Sequence, residues 1–192
     1  IVRPGRGTPT FSAAVARQFE TLGALVLNGA EALLRASDPL AVRQLLARDG
    51  LAVPAAAVSN AASDPDAADR QVIADGFSAR SLGTLVRHTI VGGRAVAAMS
   101  RDAHDASDIA ATPEWRADDA EAIDATRAVA ERAARVLGLR LAGVDVVTTL
   151  QGPLVVGVTV APALQIAERV SEAAICEAIV VYIEQTARQV AR

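Results

Sequence analysis

The chain has 192 residues, 52% of them hydrophobic but only 3% aromatic, with a formal charge of -3 and a pI near 5.4. That length suits one domain or two small ones, and the acidic balance supplies no field that would draw nucleic acid or acidic lipid. One cysteine and two histidines exclude an internal disulfide and argue against a zinc cage. The absence of lysine (all 19 basic residues are arginine) excludes Schiff-base chemistry, a lysine base and a P-loop lysine from this chain.

The start, Ile1-Val2-Arg3-Pro4-Gly5, reads as the end of a strand and a loop without an apolar leader, and the missing initiator Met points to a trimmed or incomplete start. Thr10 can cap a helix in which Phe11, Val15, Phe19 and Leu22 recur at helical spacing and Gly23 ends the run. Leu25-Val26-Leu27-Asn28 reads as a short strand. Asp38-Pro39 opens the next helix, with Leu40, Leu45 and Leu46 on its apolar side and Gly50 closing it.

Residues 55–70, poor in large apolar groups, read as a linker, with a short helix from Asp66 to Ala74. Leu85–Ile90 and Arg94–Met99 flank Gly92-Gly93, a hairpin signal, because paired glycines suit the positive φ angles of a tight turn. Residues 102–116 are polar and irregular. Asp118–Leu137 is the longest predicted helix, with Ile123, Ala130, Ala134 and Leu137 on one face and arginines gathered toward its end, as the macrodipole favours. Leu141–Leu150 and Leu154–Val160 read as strands joined by Gln151-Gly152-Pro153, and Ser171 begins a last helix with Ile175, Ile179, Tyr182 and Ile183 inward. Alternating helices and strands predict an α/β or α+β body. The strongest apolar stretch, Pro153–Leu164, is strand-length, so no membrane span and a cytoplasmic location are expected.

The isolated polar groups carry bland readings. His88 and His104 lack partners at ligand spacing and read as hydrogen-bonded or surface residues. Cys176 on the last helix reads as a small buried thiol. Asp64, Asp66, Asp69 and Asp75 lack the glycine and terminal Glu of a calcium loop and read as a solvated linker. Trp115, beside Pro113 and Glu114, is either an interface anchor or a loop cover over the core.

The order of motifs is more specific than any one of them. Leu137-Gly138-Leu139, Ala142-Gly143-Val144-Asp145-Val146-Val147, Gly152-Pro153-Leu154-Val155, Gly157-Val158-Thr159 and Ala161-Pro162-Ala163-Leu164 precede a helix ending Tyr182-Ile183-Glu184. Upstream stand Arg17-Gln18-Phe19-Glu20, Asn28, Asp38, Gln44-Leu45-Leu46-Ala47 and the hairpin Ile90–Met99. Colinear in this way, the chain resembles the RimK-like branch of the ATP-grasp ligases.

The resemblance implies ATP-dependent carboxylate–amine ligation with magnesium, and it also exposes departures. Asp145 matches the first of three magnesium ligands, but the family's Glu falls on Gly157 and its Asn on Thr159. The family's lysine falls on Pro39, its acidic residue before Ile-Arg on Leu85, and its Arg-Ser-Asn stretch near Ile109-Ala110-Ala111. The segment from Pro54 to Gly83 is too short for the nucleotide lid. Arg87 and Arg101 match arginines that face substrate or phosphate.

The expectation is therefore a partial ATP-grasp-like α/β (α+β) fold, its sheet flanked by helices and its lid missing. Residues 1–60 form an N-terminal part, 61–82 a shortened linker and 83–192 the C-terminal sheet and helices. Its expected role is a non-catalytic structural or regulatory partner, self-associating or bound to an active ATP-grasp ligase, with no cofactor. The alternatives are an ATP- and Mg-dependent glutamate-ligase-like enzyme completed by another chain, or a carboxylate- or phosphate-binding module. Arg87 and Arg101 are the candidate ligand-binding residues, and Asp145 is a vestigial metal ligand.

Overall fold

A computed structural model describes residues 9–54, 82–102, 115–117 and 119–190. The expected linker to residue 81, the short helix at 66–74, the aspartates at 64–75 and His104 lie outside the described residues.

Helix α1 (Pro9–Thr21) begins one residue before Thr10, so Thr10 sits inside it rather than capping it. Its buried face is Ser12, Ala13 and Ala16, packed with Ala30 and Leu33 of α2 (Ala30–Ala36). The expected apolar face points the other way: Phe11, Phe19 and Leu22 are 65%, 45% and 79% exposed. Small side chains let the two helices approach closely, and this contact outweighs the spacing of the large ones.

Leu25–Asn28 is not a strand: among the described residues no neighbouring strand pairs with its backbone. Asn28 instead turns its buried side chain to the head of β3. Its Oδ1 accepts from the Arg140 and Leu141 amides at 2.8 and 2.9 Å, and its Nδ2 donates to Leu141 O at 2.7 Å. Helix α3 (Pro39–Arg48) starts as expected, with Asp38 Oδ1 accepting from the amides of Leu40 and Ala41.

Four antiparallel strands form one sheet in the order β2-β1-β3-β4: β1 (Leu82–Val91), β2 (Arg94–Asp102), β3 (Leu141–Thr149) and β4 (Gly152–Thr159). The Gly92-Gly93 turn joins β1 to β2, with both residues at positive φ and the Tyr182 ring lying where a Gly92 Cβ would stand. One sheet face, with Ile90, Ala142, Val144, Val146 and Val155, packs on α4 (Ala120–Leu137) and α3. Asp119 caps α4, and its buried row of Ala122, Thr126, Ala130, Ala133, Ala134 and Leu137 is mostly small, so the helix sits close to the sheet. The expected inward Ile123 is only half-buried.

Two helices cover one end of the other face: α5 (Leu164–Ser171) and α6 (Ile175–Val190), with Ala167, Ile175 and Ile179 against Val91, Ala97, Met99 and Leu141. Ser171 therefore ends a helix instead of starting one. Glu172 adopts φ 54, a left-handed conformation that stops α5 and turns the chain into α6. The observed class is α+β, a four-stranded antiparallel sheet flanked by helices. No helix among the described residues is long and apolar enough to cross a membrane.

Candidate functional site

Alternation along β1 sends Val86, His88 and Ile90 toward α4 and Leu85, Arg87, Thr89 and Val91 to the opposite face. The register then sets Arg87 between Met99 of β2 and Asp145 of β3, and places Arg101 opposite Leu85. All three candidate residues thus fall on the face that α5 and α6 cover at one end.

Asp145 sits in mid-β3, its side chain 13% exposed, and accepts from Arg87 Nε at 2.6 Å and Nη2 at 2.7 Å. This two-pronged pair matches the planar fork of a guanidinium. The hydrogen bond to Asp145 holds the Arg87 pKa above its ordinary value, with burial working against it. Gly157 of β4 lies opposite Asp145, and a Cβ there would come within 3.1 Å of Asp145 Oδ2. The missing side chain is what allows the carboxylate to settle beside β4.

Arg101 is 3% exposed. A single ring brings it together with Arg87: the guanidinium carbons of Arg87 and Arg101 lie 5.0 and 5.2 Å from the Trp115 centroid. Backbone pairing fixes that ring. Ser100 N donates to Arg116 O at 2.7 Å and Arg116 N to Ser100 O at 2.9 Å, which adds one bridge to the outer edge of β2. Trp115 also packs on the cluster of Leu85, Val147 and Val156. The loop-cover reading of Trp115 holds, but its contact with both arginines was not legible, because no spacing links position 115 to 87 or 101.

Two other polar candidates do not join this trio. His88 is fully buried on the α4 side, hydrogen-bonded to Thr126 Oγ1 at 2.8 Å. Cys176 is exposed, not buried: it lies in the first turn of α6, where its amide donates to Glu168 Oε1. Glu168 also receives the thiol, which raises the Cys176 pKa and makes it a poor nucleophile. A cleft of about 670 Å³ lined by Glu20, Leu25, Arg35 and Arg140 includes none of the three candidate residues.

The described residues do not fit a magnesium ion held by this chain alone. Asp145 is the one carboxylate of the expected ligand trio and both its oxygens face Arg87, while Gly157 and Thr159, at the positions expected for the other two ligands, offer no carboxylate. Among the described residues no three His, Cys, Asp or Glu side chains cluster as a metal site. A hard divalent cation prefers several oxygen ligands.

A RimK-like ATP-grasp domain model matches residues 14–183. A probable alpha-L-glutamate ligase of Thioalkalivibrio sulfidiphilus is 29% identical over 98% of this chain and 76% of its own length. Another, of Xanthomonas oryzae pv. oryzae, is 30% identical over 98% of this chain and 78% of its own. The first alignment runs over 232 positions against 192 residues here, so at least 40 positions of that relative have no counterpart in this chain. Among solved structures, the ATP-grasp ligase PsnB complexed with minimal precursor, Mg and ADP superposes with a TM-score of 0.63 at 20% identity, covering 91% of this chain and 68% of that one. The D-alanine–D-alanine ligase of Bacillus anthracis complexed with ATP gives 0.65 at 12%, covering 92% and 75%. These superpositions establish the fold. The relatives overturn the expectation of a non-catalytic partner protein: chains similar to nearly all of this one are named as ligases, which favours the ligase alternative.

Proposed function

The chain belongs to the RimK-like ATP-grasp family, and on that footing we propose that it is an ATP-dependent carboxylate–amine ligase that uses glutamate. In such a reaction a carboxylate oxygen takes the γ-phosphoryl group of ATP, releasing ADP. The amine nitrogen then attacks the acyl carbon, expels phosphate and loses its proton, leaving an amide. Negative charge gathers on phosphoryl and carboxylate oxygens at both steps, so fixed cations are the groups such a site needs.

The observation that carries this reading is the alignment of nearly the whole chain with probable alpha-L-glutamate ligases. The convergence of Arg87 and Arg101 on one sheet face supports it, since guanidinium groups recognise both kinds of oxyanion. Arg87 binds and orients the oxyanion, and Asp145 fixes the Arg87 fork. The chain has no lysine and one carboxylate of the metal trio. The missing cationic and metal-binding groups come from another chain, a companion ATP-grasp ligase, and ATP and Mg are the cofactors of that complex.

The test is ADP release with ATP, Mg and L-glutamate, run on the purified chain and on the chain co-purified with such a companion. Glutamate-dependent release that disappears in Arg87→Gln is the expected result. Its absence from both preparations would overturn the reading.

A further inference from the structure

The guanidinium carbons of both arginines of the candidate site lie over the Trp115 ring, 5.0 and 5.2 Å from its centroid. For Arg87 the consequences can be followed atom by atom. Nε and one hydrogen of Nη2 point to Asp145, and the ring lies against the guanidinium. Nη1 makes no hydrogen bond to any described residue. A guanidinium has five N–H donors in one plane, so a group held along one edge by a carboxylate still presents the remaining edge. The Arg87 side chain is 28% exposed and its Nη1 is not buried from solvent, so that edge remains within reach of a ligand.

We propose that Trp115 is a positioning residue that stacks on Arg87 and Arg101 and holds the Nη1 edge of Arg87 ready for a ligand oxyanion, either phosphoryl or carboxylate. The proposal deepens the ligase reading and rests on its assignment of Arg87 to substrate. Three features of the fold serve it. The Ser100–Arg116 backbone bridge fixes the height of the ring over the sheet edge. Leu85, Val147 and Val156 back the ring, so it cannot turn away without exposing apolar surface. Asp145 holds the opposite edge of Arg87, seated in the space that Gly157 leaves.

Trp115 is the only tryptophan of the chain, so its emission reports on the site directly. Sodium tripolyphosphate and L-glutamate are titrated separately into the purified chain, with emission and calorimetry followed in parallel. Saturable binding of tripolyphosphate identifies a phosphoryl ligand, and binding of glutamate alone identifies a carboxylate. The emission should shift along the calorimetric isotherm. Trp115→Phe, which keeps an aromatic face, should bind within about threefold of wild type, whereas Trp115→Leu should weaken binding about tenfold. Leu and Phe both fill the space over Leu85 and Val147, so a merely structural role predicts equal losses for the two. Equal losses, wild-type affinity in Trp115→Leu, or a wild-type chain that binds neither anion would each overturn the proposal. The ADP-release assay is read separately: turnover that persists in Trp115→Leu with unchanged KM sinks the role of Trp115 and leaves the ligase reading standing.

Discussion

Arg87 and Asp145 lie 58 positions apart in sequence and directly opposite each other in the register of β1 and β3, joined by two hydrogen bonds of 2.6 and 2.7 Å. The side chains are 28% and 13% exposed, so the pair is mostly withdrawn from water but not sealed. Removing one partner of such a pair costs more than the pair contributes, because the survivor keeps its charge in a poor solvent. Asp145→Ala should lower the unfolding free energy by about 2 kcal/mol. Arg87→Met should cost a similar amount, and Arg87→Met/Asp145→Ala should cost less than the two single losses together. Urea titration of the four proteins gives the coupling; additive single effects would show that the two side chains do not interact in solution.

Asn28 makes a second long-range tie that the sequence disguises as part of a strand. Its side chain satisfies both an acceptor and two donors at the start of β3, and it is 2% exposed. Asn28→Ala should cost about 2 kcal/mol, because the Leu141 groups stay buried without partners. Asn28→Asp separates the donor's part from the acceptor's. It keeps the acceptor for two amides but turns a carboxylate oxygen toward Leu141 O, so it should be destabilised at neutral pH. Below about pH 4 the protonated carboxyl can donate, which should narrow its deficit to wild type. A deficit independent of pH would mean that the Nδ2 bond contributes little.

Parts of this fold were legible because local signals agreed with it. Gly92-Gly93 between two alternating runs gave the hairpin, Asp38-Pro39 gave a capped helix, and the face of Ala130, Ala134 and Leu137 with arginines toward its end gave α4, although Ile123 on that face is only half-buried. The failures share a cause. Phe11, Phe19 and Leu22 show helical spacing, yet α1 buries Ala13 and Ala16, since closeness of approach is a property of two helices and not of one. Glu172 stops α5 from a left-handed conformation that a glutamate seldom adopts, so Ser171 looked like a start. The site was half legible. Arg87, Arg101 and Asp145 were individually visible through the family motif order. Their meeting depends on strand register, and Trp115 reaches them only through the bridge at Ser100.

Cys176 tests the electrostatics of the α5–α6 corner. Glu168 accepts from the Cys176 amide at 2.7 Å and also receives the thiol, which keeps the thiol protonated beyond its ordinary range. Only the thiolate attacks electrophiles, so exposure alone does not make this cysteine reactive. Alkylation by iodoacetamide at pH 8 should be slower than for a free thiol, and Glu168→Gln should accelerate it. An unchanged rate in Glu168→Gln would show that the carboxylate does not govern the thiol.

His88 makes the acid stability of the fold measurable at one residue. The Thr126 hydroxyl donates to Ala122 O at 2.7 Å, so its lone pair faces His88 Nε2, which assigns the proton to that nitrogen. Nδ1 is buried and has no hydrogen-bond partner among the described residues. Protonating it would bury both a charge and an unmatched donor, and burial, aided by Arg127, lowers the pKa to about 4. The unfolded chain takes up the proton near its ordinary pKa of about 6.5. Between those two values the unfolded state binds more protons than the folded one, so stability must fall as the pH falls through this window. The loss should reach about 2 kcal/mol at pH 5 and about 3 kcal/mol near pH 4, where the folded histidine at last begins to titrate. His88→Leu removes the titration, so its stability should decline less than wild type from pH 7 to pH 5 in urea unfolding. Parallel declines would mean that His88 takes up its proton as readily in the folded protein as in the unfolded chain, so that burial does not suppress its charge.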